Sequence, residues 1–164
     1  MRNIKIIVMD VDGTLTDGGI YMGNNGEVMK RFDIKDGYAI HDLMPSMGIV
    51  PVVITGRRSE IVQKRCEELG IKTVIQGCVD KAGALKTVVN DLGVNLKDVA
   101  YIGDDINDLE CMKLVGMRAC PCDAAEEIKK ICEYVCIRPG GHGVVREFVE
   151  WVLEQQYSFE NNIF

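Results

Sequence analysis

The stretch Lys5-Ile6-Ile7-Val8-Met9-Asp10-Val11-Asp12-Gly13-Thr14-Leu15-Thr16 decides the fold. Its apolar, β-branched run reads as a buried strand. The run stops at two aspartates two positions apart. Strand side chains repeat every two residues, so Asp10 and Asp12 can point the same way, and Gly13 lets the chain turn sharply just past them. Carboxylates at the carboxyl end of a buried strand offer hard oxygen ligands for Mg²⁺ and a nucleophile for phosphorus. Asp-Val-Asp-Gly alone is also a polar turn, and calcium loops use it. Such a loop needs a glutamate at the twelfth position from Asp10, which here is Tyr21.

Working outward, strands alternate with amphipathic helices. Strands are predicted near 4–10, 50–54, 73–76, 98–102, 116–120 and 134–136, and helices near 36–47, 58–69, 80–92, 107–114, 124–131 and 143–156. That alternation predicts an α/β fold, a parallel sheet with helices on both faces. Ligands of such sheets bind beyond the carboxyl ends of the strands. Asp10, Thr55 and Asp104 fall at such ends, and Lys81 falls at a helix start on the same rim. The exception is the segment 18–33, where two short β runs flank Gly23-Asn24-Asn25-Gly26, a hairpin signal. An isolated hairpin is marginal alone, so this one reads as a flap or an oligomerisation element.

Composition excludes several classes. The chain has 164 residues, 47% hydrophobic and 27% charged, which fits a single globular domain spanning 1–164. No apolar run is long enough for a membrane span, and the amino terminus does not read as a signal peptide. A net charge of −6 without a basic cluster makes nucleic acid a poor partner. The seven cysteines are odd in number, which favours reduced thiols and a cytoplasmic protein. The spacing of Cys120, Cys122, Cys132 and Cys136 matches no usual zinc pattern, and Cys132 and Cys136 read as small apolar residues.

The string Asp-x-Asp-Gly-Thr-Leu-Thr on an apolar strand resembles the first motif of the haloacid dehalogenase superfamily. Three further motifs of that superfamily follow in order. They are Val52-Val53-Ile54-Thr55-Gly56-Arg57, Lys81 in Val79-Asp80-Lys81, and Val99-Ala100-Tyr101-Ile102-Gly103-Asp104-Asp105-Ile106-Asn107-Asp108. Each alone has a plainer reading: a helix cap, a solvated lysine, a capping pair. The resemblance implies a Rossmann-like haloacid dehalogenase fold with a β-hairpin flap. The spacing between motifs leaves no room for a cap domain.

Asp36-Gly37-Tyr38, Gln76-Gly77 and Gly140-Gly141-His142-Gly143-Val144-Val145-Arg146-Glu147 narrow the resemblance to the capless sugar-acid phosphatases. These hydrolyse 3-deoxy-octulosonate 8-phosphate (KDO 8-phosphate), 2-keto-3-deoxynononate (KDN) 9-phosphate or N-acylneuraminate 9-phosphate. Ala39 and Val144 replace the glycine and alanine usual in the octulosonate enzymes, which points to the nine-carbon sugar acids of sialic acid biosynthesis. The alternative is KDO 8-phosphate in lipopolysaccharide biosynthesis. Readings of another class are a phosphoprotein phosphatase and a non-catalytic assembly subunit.

The resemblance also implies roles. Asp10 is the nucleophile and Asp12 the general acid and base. Mg²⁺ is held by Asp10, the Asp12 backbone carbonyl and Asp104, with Asp105 and Asp108 in support. Thr55, Gly56 and Lys81 hold the phosphoryl group. Arg57, Lys64, Arg65, Asp36 and Gly37 are candidates for substrate, with Arg57 best placed for the sugar carboxylate. A homotetramer is expected to form through the hairpins, and the segment 143–164 with Gly141, His142 and Arg146 to cover a neighbour's site as a lid.

Overall fold

A computed structural model of the protein describes residues 3–160, and side chains through residue 156. Strand β1 (Ile6–Met9) is buried along its whole length, as a continuous apolar run requires of a strand covered on both faces. It pairs in parallel with β4 (Val50–Ile54) on one side and with β6 (Val99–Ile102) on the other. β5 (Thr73–Ile75) extends the sheet beyond β4, and β7 (Met117–Cys120) and β8 (Tyr134–Val135) extend it beyond β6. The six-stranded order is β5-β4-β1-β6-β7-β8.

The two-residue period of a strand sorts the core. Ile7 and Met9 join Val53, Ala100 and Ile102 on one face, while Ile6 and Val8 join Val52, Ile54, Val99 and Tyr101 on the other. The first face is covered by the helical stretch 34–46, by Val62 and Cys66 of α3 (Glu60–Glu68), and by Val145, Phe148, Val149 and Val152 of α7 (Val144–Glu160). The second is covered by α4 (Lys81–Asp91), α5 (Leu109–Leu114) and α6 (Glu126–Lys129), through Leu85, Val89, Cys111, Met112 and Ile128. Buried Cys66, Cys111, Cys120 and Cys136 are core residues.

The helix predicted over 36–47 is interrupted. It comprises α1 (Ile34–Tyr38), a wide turn over Ala39–Leu43, and α2 (Met44–Ser46). Pro45 has no amide hydrogen to bond the carbonyl of His41, and the preceding turn opens so that Met44 N–H reaches Ala39 O.

Between β1 and β4 there are otherwise only a wide turn over Val11–Leu15 and the hairpin of β2 (Tyr21–Gly23) and β3 (Gly26–Met29). Met22, Val28 and Met29 on this hairpin are exposed. Among the described residues no cap domain is inserted, and no helix is long and apolar enough to cross a membrane.

Candidate active site

The first departure from the sequence reading is at Asp12. The strand ends at Met9, and Val11–Leu15 forms a wide turn closed by Thr16 N–H donating to Val11 O at 3.0 Å. Gly13 takes φ +94, and a Cβ there would run into the Asp104 carboxylate, so only glycine serves. Asp12 therefore lies past the strand, in the turn. Its Oδ1 contacts Lys30 Nζ, and its Oδ2 lies 3.9 Å from Arg57 Nε.

Asp10, just past the end of β1, meets two carboxylates from the loop and turn that follow β6: Asp10, Asp104 and Asp108 offer oxygens within 4.8 Å of one another. Asp108 is fully buried. Its Oδ1 accepts from Lys81 Nζ at 2.7 Å and from the Tyr101 hydroxyl at 2.7 Å. Its Oδ2 accepts from the Asp104 amide at 3.1 Å. With both oxygens engaged, Asp108 orients the cluster and leaves Asp10 and Asp104 freer to bind. Lys81 is the first residue of α4, which Asp80 caps by accepting from Gly83 N–H at 2.8 Å. Its side chain turns inward to donate to Asp10 Oδ1 at 2.8 Å.

The electrostatics follow from crowding three carboxylates around one ammonium. Burial, then the Asp108 charge, pushes the Asp10 carboxyl up to about 6. Burial, then the charges of Asp10 and Asp108, pushes Asp104 up to about 8, against a 3.1 Å hydrogen bond from Thr14 Oγ1. Burial works to lower Lys81, but Asp10 and Asp108 outweigh it and hold the ammonium above its ordinary value. One lysine does not neutralise the cluster. A small hard cation accepting carboxylate oxygens would relieve it, so these residues fit a divalent metal.

Thr55 is buried one residue past the end of β4. The Met9↔Val53 register brings it to the same rim as Asp10. Its loop is pinned by Cys78 N–H donating to Thr55 O at 3.0 Å and Gly77 N–H donating to Arg57 O at 3.0 Å. A Cβ on Gly56 would approach Asn107 of the acidic loop at 3.9 Å, so the Thr55 loop and the Asp104 loop face each other. Arg57 is half exposed at the cleft edge, with a guanidinium nitrogen 3.8 Å from Glu27 Oε1.

Lys30, Glu27, Tyr101 and Thr14 escaped sequence reading. Lys30 has a fully buried side chain between Asp12 and Glu27. Burial acts to lower Lys30, and these two carboxylates raise it above its ordinary value.

Other candidates are engaged in holding the fold. Asp105 is exposed and accepts from Ile106 N–H at 2.8 Å, capping the turn that leads into α5. Lys64 is exposed on α3. Arg65 pairs with Glu68 at 2.8 Å, sits 5.8 Å over the Phe32 ring, and packs where a side chain on Gly37 would be. Gly140 and Gly141 press against the chain's own loop at Gly13 and Thr16, and Gly141 N–H donates to Thr14 O at 2.9 Å. Any side chain there would strike that backbone, so these glycines buttress their own catalytic loop. His142 is exposed, with Nδ1 2.7 Å from Gly140 O. Arg146 lies 4.7 Å over the Tyr38 ring and pairs with Glu150 at 2.5 Å. The rest of the expected lid, residues 161–164, lies outside the described residues.

Asp36 is also engaged in holding the fold. The first turn of α7 has no side-chain cap of its own, because Gly143 precedes it. Asp36 supplies the cap from α1, accepting from Arg146 N–H at 2.8 Å. Burial raises its carboxyl from 3.8 to about 6. The native state thus binds this proton more tightly than the unfolded chain, so this stability is full below about pH 4 and lost as pH rises through about 6. Asp36→Asn keeps an acceptor oxygen and removes the ionisation. Its stability relative to the parent should rise by up to roughly 3 kcal/mol between pH 4 and pH 7 in chemical denaturation. Parallel curves for the two proteins would show that the carboxyl is not perturbed.

Residues 71–148 match the family model of haloacid dehalogenase-like hydrolases. The chain is 40% identical over 155 residues to the 3-deoxy-D-manno-octulosonate 8-phosphate phosphatase of Escherichia coli K12, covering 94% of this chain and 82% of that protein. It superimposes on the corresponding phosphatase of Moraxella catarrhalis, solved with magnesium, phosphate and KDO. That match has a TM-score of 0.90 and 39% identity, and covers 99% of this chain and 92% of the other. The cobalt-bound phosphatase of Haemophilus influenzae matches with a TM-score of 0.91 and 35% identity, over 94% and 90% of the two chains.

These relatives carry the octulosonate name, so the nine-carbon preference gains no support. Ala39 and Val144, the residues that suggest it, are both fully buried in the core. With its acidic cluster at the strand ends and this likeness along nearly its whole length, the chain belongs to the haloacid dehalogenase-like hydrolases, in the family of the KDO 8-phosphate phosphatases.

Proposed function

We propose that the protein hydrolyses KDO 8-phosphate, using Mg²⁺ and an aspartyl-phosphate intermediate. The carrying observation is the buried constellation of Asp10, Asp104, Asp108 and Lys81 in a chain 40% identical to phosphatases of that substrate. Asp10, Asp104 and the Asp12 carbonyl would hold the metal, whose charge offsets the repulsion between a carboxylate and a phosphate dianion.

The chain's own residues account for the remaining chemistry. An Asp10 oxygen attacks phosphorus in line, and the bond from phosphorus to the sugar oxygen breaks. Asp12 delivers its proton to that oxygen, which leaves as an alcohol. Asp12, now a carboxylate, takes a proton from water as the water oxygen attacks the same phosphorus. The bond to Asp10 breaks, and inorganic phosphate and both aspartates are regenerated. Thr55, the Gly56 amide and Lys81 hold the phosphoryl oxygens. Arg57, at the cleft edge, takes the sugar carboxylate in a charge-assisted pair.

Assembly as a homotetramer through the hairpin draws support from exposed Met22, Val28 and Met29. A cytoplasmic location accords with the free cysteines among the described residues.

Phosphate release from KDO 8-phosphate, KDN 9-phosphate, nitrophenyl phosphate and a phosphopeptide tests the reading. With Mg²⁺, kcat/KM should be highest for KDO 8-phosphate, and excess chelator should lower the rate at least ~100-fold, reversibly. A preference for KDN 9-phosphate would restore the nine-carbon reading. Preference for the phosphopeptide would overturn the sugar-acid assignment.

A further inference from the structure

The hairpin is largely open to solvent, yet it sends one ammonium inward. Lys30, the residue after β3, has no exposed side-chain surface. Its Nζ contacts Asp12 Oδ1 and stands 2.8 Å from Glu27 Oε1. The other Glu27 oxygen accepts from Ser59 Oγ at 2.5 Å, and Ser59 is the amino-terminal cap of α3. A chain of contacts therefore runs from the acid–base carboxylate through the hairpin to the helix that follows Thr55.

Burying an ammonium and two carboxylates is a poor way to gain stability, because desolvation opposes the attraction. Such a pair does fix geometry. Asp12 sits on a turn beyond its strand, without the backbone ladder that holds Asp10. Lys30 ties down Oδ1, while Oδ2 lies 3.9 Å from Arg57 Nε, on the cleft side.

We infer that Lys30, braced by Glu27, is a positioning residue that holds the Asp12 carboxyl with Oδ2 toward the scissile ester oxygen. This rests on the reading of Asp12 as proton donor. Lys30 itself has no exposed side-chain surface with which to meet substrate.

A leaving-group series tests it, because kcat/KM reports the steps through departure of the alcohol. A nitrophenolate leaves without a proton, whereas an alkoxide needs one. Lys30→Met should lower kcat/KM about 100-fold for alkyl phosphates and KDO 8-phosphate, and less than about 3-fold for nitrophenyl phosphate. Asp12→Asn should give the same pattern, and the double variant should be no worse than Asp12→Asn alone. Glu27→Gln, a gentler change, should show the pattern in reduced form should Lys30→Met fold poorly.

Leaving-group dependence in Asp12→Asn but an equal loss across the series in Lys30→Met would overturn the positioning role. A loss confined to KDO 8-phosphate would make Lys30 a substrate contact and overturn it also. Asp12→Asn without leaving-group dependence would instead remove the proton-donor reading beneath it.

Discussion

Asp10→Asn is expected to fold normally and to release phosphate at less than about a thousandth of the parent rate. The amide that replaces the carboxylate is not a nucleophile toward phosphorus, so no aspartyl phosphate can form. Stability should move the other way. Asp10 adds negative charge to a cluster that already pushes Asp104 up to about 8, and removing it relieves that repulsion. The asparagine oxygen can still accept the 2.8 Å hydrogen bond from Lys81. Thermal melting of the variant should therefore hold or rise while activity disappears. This combination separates a chemical role from a structural one. Phosphate release within tenfold of the parent would take the nucleophile's role away from Asp10.

Lys81→Met should reduce both activity and stability. Lys81 Nζ bonds both Asp10 and Asp108, and the three side chains are nearly excluded from solvent. Breaking a buried ion pair from one side typically costs about 3–5 kcal/mol, because the remaining charges stay buried without a partner. For a domain of this size that corresponds to a fall in melting temperature of roughly 10 °C. Turnover should fall about 10³-fold, since a preorganised cation is lost from the phosphoryl site. Added Mg²⁺ should recover part of the melting temperature and little of the rate, because a cation in the cluster restores charge without restoring the lysine's position. A melting temperature within about 2 °C of the parent would mean that the three carboxylates are neutralised by other means.

How much of this was legible depends on what fixes each residue. Asp10, Thr55, Lys81 and Asp104 were readable because a parallel sheet places strand ends and helix starts on one rim, whatever the loops do. The contacts of Asp12 were not readable, because a two-residue period holds only while the strand continues, and the chain leaves it at Met9. Lys30 left no trace in periodicity: it follows a short exposed strand, and only the folded hairpin shows its ammonium against Asp12. Asp36 misled for a different reason. A carboxylate in a family motif reads as a ligand for substrate, but its partner is the backbone amide of Arg146, and backbone amides carry no sequence signal. Ala39 and Val144 are buried in the core, where packing also constrains which residue is present.

The central position of β1 also governs how the protein is made. Ile6 lies beside Val50 on one edge and Val99 on the other. During synthesis β1 thus waits for partners far along the chain, since parallel neighbours require crossovers. Until β6 has been synthesised, an entirely apolar strand keeps an open edge, which is the condition under which nascent chains pair with one another. Asp10 and Asp104 meet only once that edge closes, so a partly synthesised chain holds the nucleophile but not the site around it.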